Sequence, residues 1–168
     1  MGWLEPGDEV DVGLVWIWLC LACGEVEERG VLETQLAPRV VARTLTGGSL
    51  SLQAQQPKPV LLVFWASWCL PCRKEVPQLH ALMDQYGDSI SVIGVNMGEP
   101  VGKAQAAATE MGMRYPSLLD TDGAIASNWR VRTLPLGIIL DGDGRIRFRG
   151  NGLPHQPTVL LDGLVGSP

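Results

Sequence analysis

The chain has 168 residues and a formal net charge of −5, with 46% apolar and 18% charged residues. This length allows one domain with a sizeable core and is too short for two domains of ordinary size. The composition argues against disorder, and a negative charge without any basic run argues against nucleic-acid binding. His80 and His155 stand far apart without acidic or cysteine neighbours, so we expect no histidine-rich metal site.

The first apolar stretch covers residues 12–23 and contains Cys20 and Cys23. It is shorter than the ~20 residues that span a bilayer as a helix. Its length fits a signal-peptide core, but acidic residues precede it where a signal peptide carries Lys or Arg. Three interpretations stay open: a degenerate export signal or anchor, a buried or interfacial element, and a misplaced start codon or cloning artefact. We assign residues 1–34 to this segment and a linker, and residues 35–168 to the folded domain.

Two Cys-x-x-Cys pairs, Cys20/Cys23 and Cys69/Cys72, are compatible with zinc, with redox couples or with chance. Zinc ribbons place such pairs on tight polar turns, whereas the first pair lies inside an apolar run and the second ends one. A shared zinc site is therefore not favoured. An electron relay from the first pair is not favoured either, because an apolar setting raises the pKa of a thiol.

The folded domain is predicted to begin with a β-hairpin. Residues 39–43 and 49–52 flank a Gly-Gly pair, as two strands flank a turn. After a polar connector, residues 60–65 form a continuous apolar run, Val-Leu-Leu-Val-Phe-Trp. Such a run is typical of a strand that is buried on both faces in a parallel sheet.

A helix is predicted to follow this strand directly, over residues 71–86. Its apolar side is formed at helical spacing by Val76, Leu79, Leu82, Met83 and Tyr86. A second strand over residues 90–95 and an Ala-rich helix over about 101–111 continue the alternation of strand and helix. The pattern predicts an α/β domain.

The remaining elements complete this domain. Residues 115–119 predict a short strand, and residues 124–129 a helical turn. Another buried strand is predicted over residues 137–140. Residues 145–149 alternate charged and apolar side chains, as an edge strand with one dry face would. A C-terminal helix over residues 157–165 is predicted to cover the sheet.

Cys69 is predicted to lie where the buried strand ends and the helix begins. Unpaired N–H groups and the positive end of the helix would then face its sulfur and lower the pKa of the thiol. In Cys-x-x-Cys sites this pKa falls from about 8.5 to between ~3.5 and ~7.5. Pro71 suits the first helical turn, where a missing N–H has no cost. The predicted mechanism is attack by Cys69 on a partner disulfide, and Cys72 resolves the mixed disulfide from the more buried side.

The segment over residues 64–77, Phe-Trp-Ala-Ser-Trp-Cys-Leu-Pro-Cys-Arg-Lys-Glu-Val-Pro, resembles the active-site signature of the thioredoxin superfamily, especially its TlpA/ResA-like branch. The resemblance extends over about residues 35–165. It implies a thioredoxin-like α/β fold with a central mixed β-sheet flanked by helices, an N-terminal β-hairpin and an extra βα insertion. The spacing between Cys72 and Pro135 leaves room for that insertion.

Residues 131–135 resemble the segment that holds the family's cis-proline loop. The resemblance implies that the Leu134–Pro135 bond is cis, and that Leu134 and Pro135 face the dithiol and bind substrate. An X-Pro bond is cis in only about 5–6% of folded cases, so an ordinary proline before a strand stays an alternative.

The aromatic residues near the cysteines are predicted to have two roles. Trp65 and Trp129 are expected in the core. Trp68, with Leu70 and Pro71, is expected to form an apolar rim on which partner proteins dock.

One departure from the thioredoxin pattern concerns proton transfer. Val63 holds the position six residues before Cys69, where thioredoxins usually carry a buried Asp. Glu75 lies one helical turn after Cys72 and resembles the acidic residue of ResA-like sites. We expect Glu75 to tune Cys72 and to accept its proton, which requires partial burial and a raised pKa. An exposed helix carboxylate is the alternative.

The resemblance implies an enzyme that reduces disulfides in partner proteins, in cytochrome maturation or general thiol homeostasis. It would need a disulfide-containing protein substrate, an upstream thiol electron donor, and no cofactor beyond the redox-active Cys69–Cys72 disulfide. We expect a monomer. An extracytoplasmic location, periplasmic or anchored to a membrane and facing outside, is expected because disulfides persist there. A cytoplasmic location is the alternative.

Two other functions are weighed against this one. A thiol peroxidase of the same fold would need Thr three residues before its reactive cysteine, and Ala66 stands there. A copper or haem chaperone would use Cys69 and Cys72 as soft ligands, but no Met or His neighbours the pair to complete the site.

Overall fold

The structure, a computed structural model, describes residues 35–166, so the predictions for residues 1–34 lie outside the described residues. The elements in the described range are β1 (Val41–Arg43), β2 (Ser49–Ser51), β3 (Val60–Trp65), α1 (Leu70–Tyr86), β4 (Ser91–Met97), α2 (Val101–Glu110), β5 (Ser117–Asp120), α3 (Ala124–Asn128), β6 (Leu136–Leu140), β7 (Ile146–Gly150) and α4 (Pro157–Val165). The domain boundary at residues 34 and 35 stays a prediction.

The central sheet has five strands in the order β5-β4-β3-β6-β7. β3 pairs parallel with β4, and β4 pairs parallel with β5. β6 and β7 add an antiparallel half on the other side of β3. The mixed sheet of the thioredoxin-like fold is therefore confirmed. The apolar run of β3, which is typical of a parallel sheet, has one parallel and one antiparallel neighbour. The predicted hairpin is also confirmed, because β1 pairs antiparallel with β2.

The core lies on both faces of the sheet, because all six residues of β3 are buried. Leu62 and Phe64 pack on one face, and Leu61 and Val63 on the other. Full burial of such a side chain stabilises a fold by roughly 1.5–3 kcal/mol. The sheet is therefore a rigid base for the loops at its ends.

Helix α1 packs its predicted apolar side on the sheet. Val76, Leu79 and Leu82 are buried. Leu79 and Leu82 belong to a core cluster against which the partly buried Met83 and Tyr86 pack. Because β3 ends at residue 65 and α1 begins at residue 70, four residues connect the strand to the helix. That short loop carries Cys69.

The chain before β3 covers both edges of the sheet. Near β7, Ile146 donates a backbone hydrogen bond to Gln35. Near β5, Leu45 donates one to Ser117. Covering the edges prevents them from pairing with other chains. No helix within the described range is long and apolar enough to cross a bilayer.

Candidate active site

Cys69 and Cys72 form a disulfide at the N-terminus of α1, with their Cα atoms 5.3 Å apart. Cys69 is the N-cap residue, and its sulfur accepts a hydrogen bond of 3.2 Å from the backbone N–H of Cys72. Pro71 lies in the first turn of the helix. The predicted junction of strand and helix is therefore confirmed, with a helix N–H directed at the Cys69 sulfur.

The two cysteines are buried to a similar degree in this disulfide form. Their exposed fractions are 3% for Cys69 and 5% for Cys72. The expectation that Cys72 lies deeper is therefore wrong for this disulfide form, in which Cys69 is slightly the less exposed of the two.

The cis-proline loop lies beside the disulfide. The Leu134–Pro135 bond is cis, as the resemblance implies. Leu134 packs against the apolar cluster that contains both cysteines. The carbonyl of Pro135 accepts a hydrogen bond of 3.2 Å from the backbone N–H of Gly152. The loop is thus held by the segment that follows β7.

Glu75 is half-buried, and its carboxylate lies beside Gly152, next to the cis-proline loop. Its Oε1 accepts a hydrogen bond of 3.1 Å from the backbone N–H of Leu153. Burial raises the pKa of the Glu75 carboxyl, and the Leu153 hydrogen bond opposes that rise. A Cβ on Gly152 would overlap the Glu75 carboxylate, so the two residues are in close contact. The partial burial and raised pKa expected of Glu75 are both present.

The predicted rim is exposed. Trp68 and Leu70 expose 67% and 68% of their surface, and Pro71 is also exposed. Trp65 and Trp129 are buried in the core as predicted. Exposed apolar side chains that form a continuous patch are typical of places where partners bind.

A second carboxylate near the dithiol was not predicted from the sequence. Glu99 follows β4 and is only 3% exposed. It accepts hydrogen bonds from the backbone N–H and the hydroxyl of Ser67, at 2.7 and 2.5 Å. The signal available in the sequence is that β3 and β4 are parallel, so the residues that follow them meet at one edge of the sheet.

Arg73 holds the same loop from the other side. Its Nε and Nη2 donate to the carbonyl of Ser67, at 3.3 and 3.2 Å. Its Nη1 forms an ion pair of 2.8 Å with Glu110 at the end of α2. Arg73 thereby connects the active-site loop to α2.

Other predicted residues lie apart from the site. Val63 is buried in β3, opposite Gly137 of β6. His80 accepts a hydrogen bond of 3.3 Å from the backbone N–H of Arg114, and His155 is exposed. Among the residues that the structure describes, no group of three or more His, Cys, Asp or Glu could hold a metal ion.

Comparison with known proteins places this site in a family. The sequence model of the AhpC/TSA family matches residues 34–149. The chain belongs to the AhpC/TSA family. It is 37% identical over 124 residues to the thioredoxin-like protein YneN of Bacillus subtilis, which covers 72% of each chain. It is 29% identical over 122 residues to the thiol-disulfide oxidoreductase ResA of Geobacillus kaustophilus, which covers 72% of this chain and 70% of that one.

A solved structure with a similar fold belongs to the same class of protein. A secreted disulfide oxidoreductase of Mycobacterium tuberculosis, described as homologous to DsbE, is 27% identical with a TM-score of 0.63. The match covers 76% of this chain and 94% of that chain. The predicted class, a thiol-disulfide oxidoreductase with a thioredoxin-like fold, is confirmed.

Proposed function

We propose that this enzyme reduces disulfide bonds in partner proteins through Cys69 and Cys72. The observation that carries the proposal is the disulfide at the start of α1, bordered by the cis-Pro135 loop and by exposed Trp68 and Leu70. Such a couple cycles between disulfide and dithiol without any bound cofactor.

The reaction begins with the reduced enzyme. The Cys69 thiolate attacks one sulfur of the partner disulfide, and the other partner sulfur leaves as a thiolate. The Cys72 thiolate then attacks the Cys69 sulfur of the mixed disulfide, which releases the second partner thiol. The partner has gained two electrons and two protons, and the enzyme holds the Cys69–Cys72 disulfide. An upstream dithiol donor returns it to the reduced form.

Glu75 is proposed to accept the proton of Cys72 during resolution. Its carboxyl belongs to α1, one turn after Cys72, and burial raises its pKa. A carboxyl with a raised pKa is a better base than an ordinary surface carboxylate, because its affinity for a proton is higher.

Trp68, Leu70 and Pro71 are proposed to form the docking rim, and Leu134 and Pro135 to contact the partner's backbone. The exposed apolar rim can contact the apolar surface of a partner polypeptide around an accessible disulfide. A partner lying between the rim and the cis-proline loop would bring its disulfide to Cys69.

The compartment and pathway belong to the same proposal. We infer an extracytoplasmic enzyme, tethered through its N-terminus and acting as a monomer in cytochrome maturation or thiol homeostasis. Protein disulfides persist outside the cytoplasm, and a reductase is useful where they form. The secreted relative of Mycobacterium tuberculosis supports this location.

Trapping of the mixed disulfide tests the proposal. Reduced Cys72→Ser protein, incubated with insulin as a disulfide substrate, should accumulate a covalent adduct at Cys69. Cys69→Ser protein should form none at that position. Wild-type protein should reduce insulin with dithiothreitol as donor and show no peroxide turnover above background. Absence of the adduct would contradict the proposed mechanism, and rapid peroxide turnover would favour a thiol peroxidase.

A further inference from the structure

Glu99 is a buried anion in the segment between β4 and α2. Its Oε2 accepts hydrogen bonds from the Ser67 backbone N–H at 2.7 Å and from Asn96 Nδ2 at 2.9 Å. Its Oε1 accepts from the Ser67 hydroxyl at 2.5 Å and lies 2.9 Å from Lys103 Nζ. Four donors therefore converge on one carboxylate that is almost entirely removed from solvent.

These donors keep Glu99 ionised. Burial alone would raise the pKa of its carboxyl, but hydrogen bonds from Ser67, Asn96 and Lys103 lower that pKa to about 2. A buried carboxylate with several N–H and O–H donors is stable only while the donors remain in place. At neutral pH the carboxylate form that makes these contacts with Ser67 is therefore the favoured one.

Every polar group of Ser67 is bound. Its N–H and hydroxyl are held by Glu99, and its carbonyl accepts hydrogen bonds from Arg73. Ser67 lies two residues before Cys69, and the Cys69 N–H donates to the carbonyl of Ala66 at 3.1 Å. A shift of Ser67 would therefore move the turn that carries the Cys69 sulfur.

We propose that Glu99 is a positioning residue for the thiol-disulfide exchange, and that it acts through Ser67 to fix the direction of the Cys69 sulfur. The inference rests on the proposed function of Cys69 as the attacking thiol. Exchange requires a defined approach of one sulfur to another, and a misplacement of about 1 Å lowers such rates on the order of 100-fold. In the dithiol form the S–S bond no longer restrains Cys69, and the Glu99 contact still holds the loop.

Glu99→Gln is the most informative variant. It keeps the size of the side chain but places an NH₂ group where one carboxylate oxygen accepts hydrogen bonds. Asn96 can adapt by turning its amide, because its Oδ1 has no hydrogen-bond partner in the described range. The Ser67 N–H cannot turn, so it either loses its acceptor or keeps a neutral amide oxygen in place of a carboxylate oxygen. In the second case the Ser67 hydroxyl must turn to accept from the new NH₂ group, and Lys103 loses its partner. Ser67→Ala removes only the hydroxyl, and Ser67→Thr retains it.

The experiment measures how fast Cys69 reacts with a small aromatic disulfide, dithiobis(nitrobenzoate). Reduced full-length protein in the Cys72→Ser background is used, and the adduct is quantified on the Cys69 peptide by mass spectrometry. The small probe needs no docking rim, so the rate reports the cysteine itself. Asp84→Asn is the matched control, since it also neutralises an ion-paired carboxylate, on the exposed side of α1. Thermal unfolding of each reduced protein, in the same Cys72→Ser background, is measured in parallel.

We expect Glu99→Gln to lower the rate at least tenfold. Ser67→Ala should lower it about threefold or more, and Ser67→Thr and Asp84→Asn should remain within about twofold of the parent protein. A merely structural role would lower the unfolding temperature and leave the rate of the folded protein unchanged.

Parent-like rates for Glu99→Gln and Ser67→Ala would overturn the inference. If Glu99→Gln does not fold, the comparison of Ser67→Ala with Ser67→Thr decides, and equal rates would overturn it. Failure of the parent protein to react at Cys69 would instead contradict the proposed function.

Discussion

The two carboxylates beside the disulfide, Glu99 and Glu75, are held in opposite ways. Glu99 lies on the side of the strand-to-helix loop and accepts hydrogen bonds from three residues, which lower its pKa to about 2. Glu75 lies on the side of the cis-proline loop, and its carboxylate accepts one backbone hydrogen bond, from Leu153. Burial raises the pKa of Glu75, and this one donor does not cancel the rise.

The difference in pKa between Glu99 and Glu75 shows that burial alone does not determine whether a carboxyl in this site is protonated. Glu99 exposes less of its surface than Glu75 and still has the lower pKa, because donors replace the water that it loses. The side with many donors suits a fixed anion that orders a loop. The side with few donors suits a group that gains and loses a proton.

The largest expected effect concerns stability and pH. The pKa of Glu99 is about 2 in the folded protein against 4.5 ordinarily, so its contribution to stability is present above about pH 4.5 and is lost as the pH falls towards 2. The contribution is roughly 3 kcal/mol. Urea denaturation of the oxidised protein between pH 2 and 6 should show this loss in wild type and a flatter profile in Glu99→Gln. Identical pH profiles of stability for the two proteins would contradict the claim that Glu99 is a stabilising anion in the folded protein.

Glu75→Gln should change catalysis more than stability. If Glu75 accepts the Cys72 proton, the resolution rate rises with pH through the Glu75 pKa, which lies above its ordinary value. The variant should lose this rise and resolve the mixed disulfide about 100-fold more slowly. Stopped-flow release of the second partner thiol, measured from pH 4 to 9, checks this. An unchanged pH-rate profile would remove the proton-accepting role.

Gly152→Ala should move the Glu75 carboxylate without replacing it, and so tests whether the position of that carboxylate matters for catalysis. The new Cβ would overlap the Glu75 carboxylate, and a φ of +74° strains any residue with a side chain. Displaced towards solvent, Glu75 should have a pKa closer to its ordinary value, so the rise in resolution rate moves to lower pH. The strain should also lower stability by about 1–2 kcal/mol.

Gly47→Ala is the control for that strain. Gly47 has a φ of +95°, and an added Cβ would meet no atom within 4 Å. It should lose similar stability without any change in the pH profile of resolution. A shifted profile in both variants would show that backbone strain, and not contact with Glu75, causes the effect.

The smallest effect is expected for Glu110→Gln. The ion pair of Glu110 with Arg73 is exposed, so solvent and salt screen it strongly. Arg73 can still donate to the Ser67 carbonyl without it. The urea midpoint and the reaction rate of Cys69 should both stay close to wild type. A large loss of rate would show that the Arg73–Glu110 ion pair at the C-terminal end of α2 also positions the active-site loop, in addition to Glu99 near the N-terminal end.

Much of the fold follows from local sequence patterns. The apolar run at residues 60–65 and the helix at residues 157–165 have the predicted bounds, because burial and periodicity specify them directly. The strand predicted over residues 115–119 begins instead at Ser117, since Pro116 has no N–H for a sheet ladder.

The site was only partly predictable. The cysteine pair and the cis bond at Pro135 were predicted, the latter only by family resemblance. Glu99 was missed because nothing in its local sequence marks it, and its burial depends on the approach of two loops from parallel strands. The cis bond between Gln56 and Pro57 was not predicted for the same reason, since X-Pro isomers depend on tertiary context.

The reduction potential of the Cys69–Cys72 couple tests the central claim most directly. It can be measured by equilibrating the full-length protein with glutathione or dithiothreitol buffers and quantifying the disulfide on the Cys69–Cys72 peptide. A protein-disulfide reductase should have a potential of about −250 mV or lower. A value near about −120 mV, typical of a strong oxidant, would contradict the account.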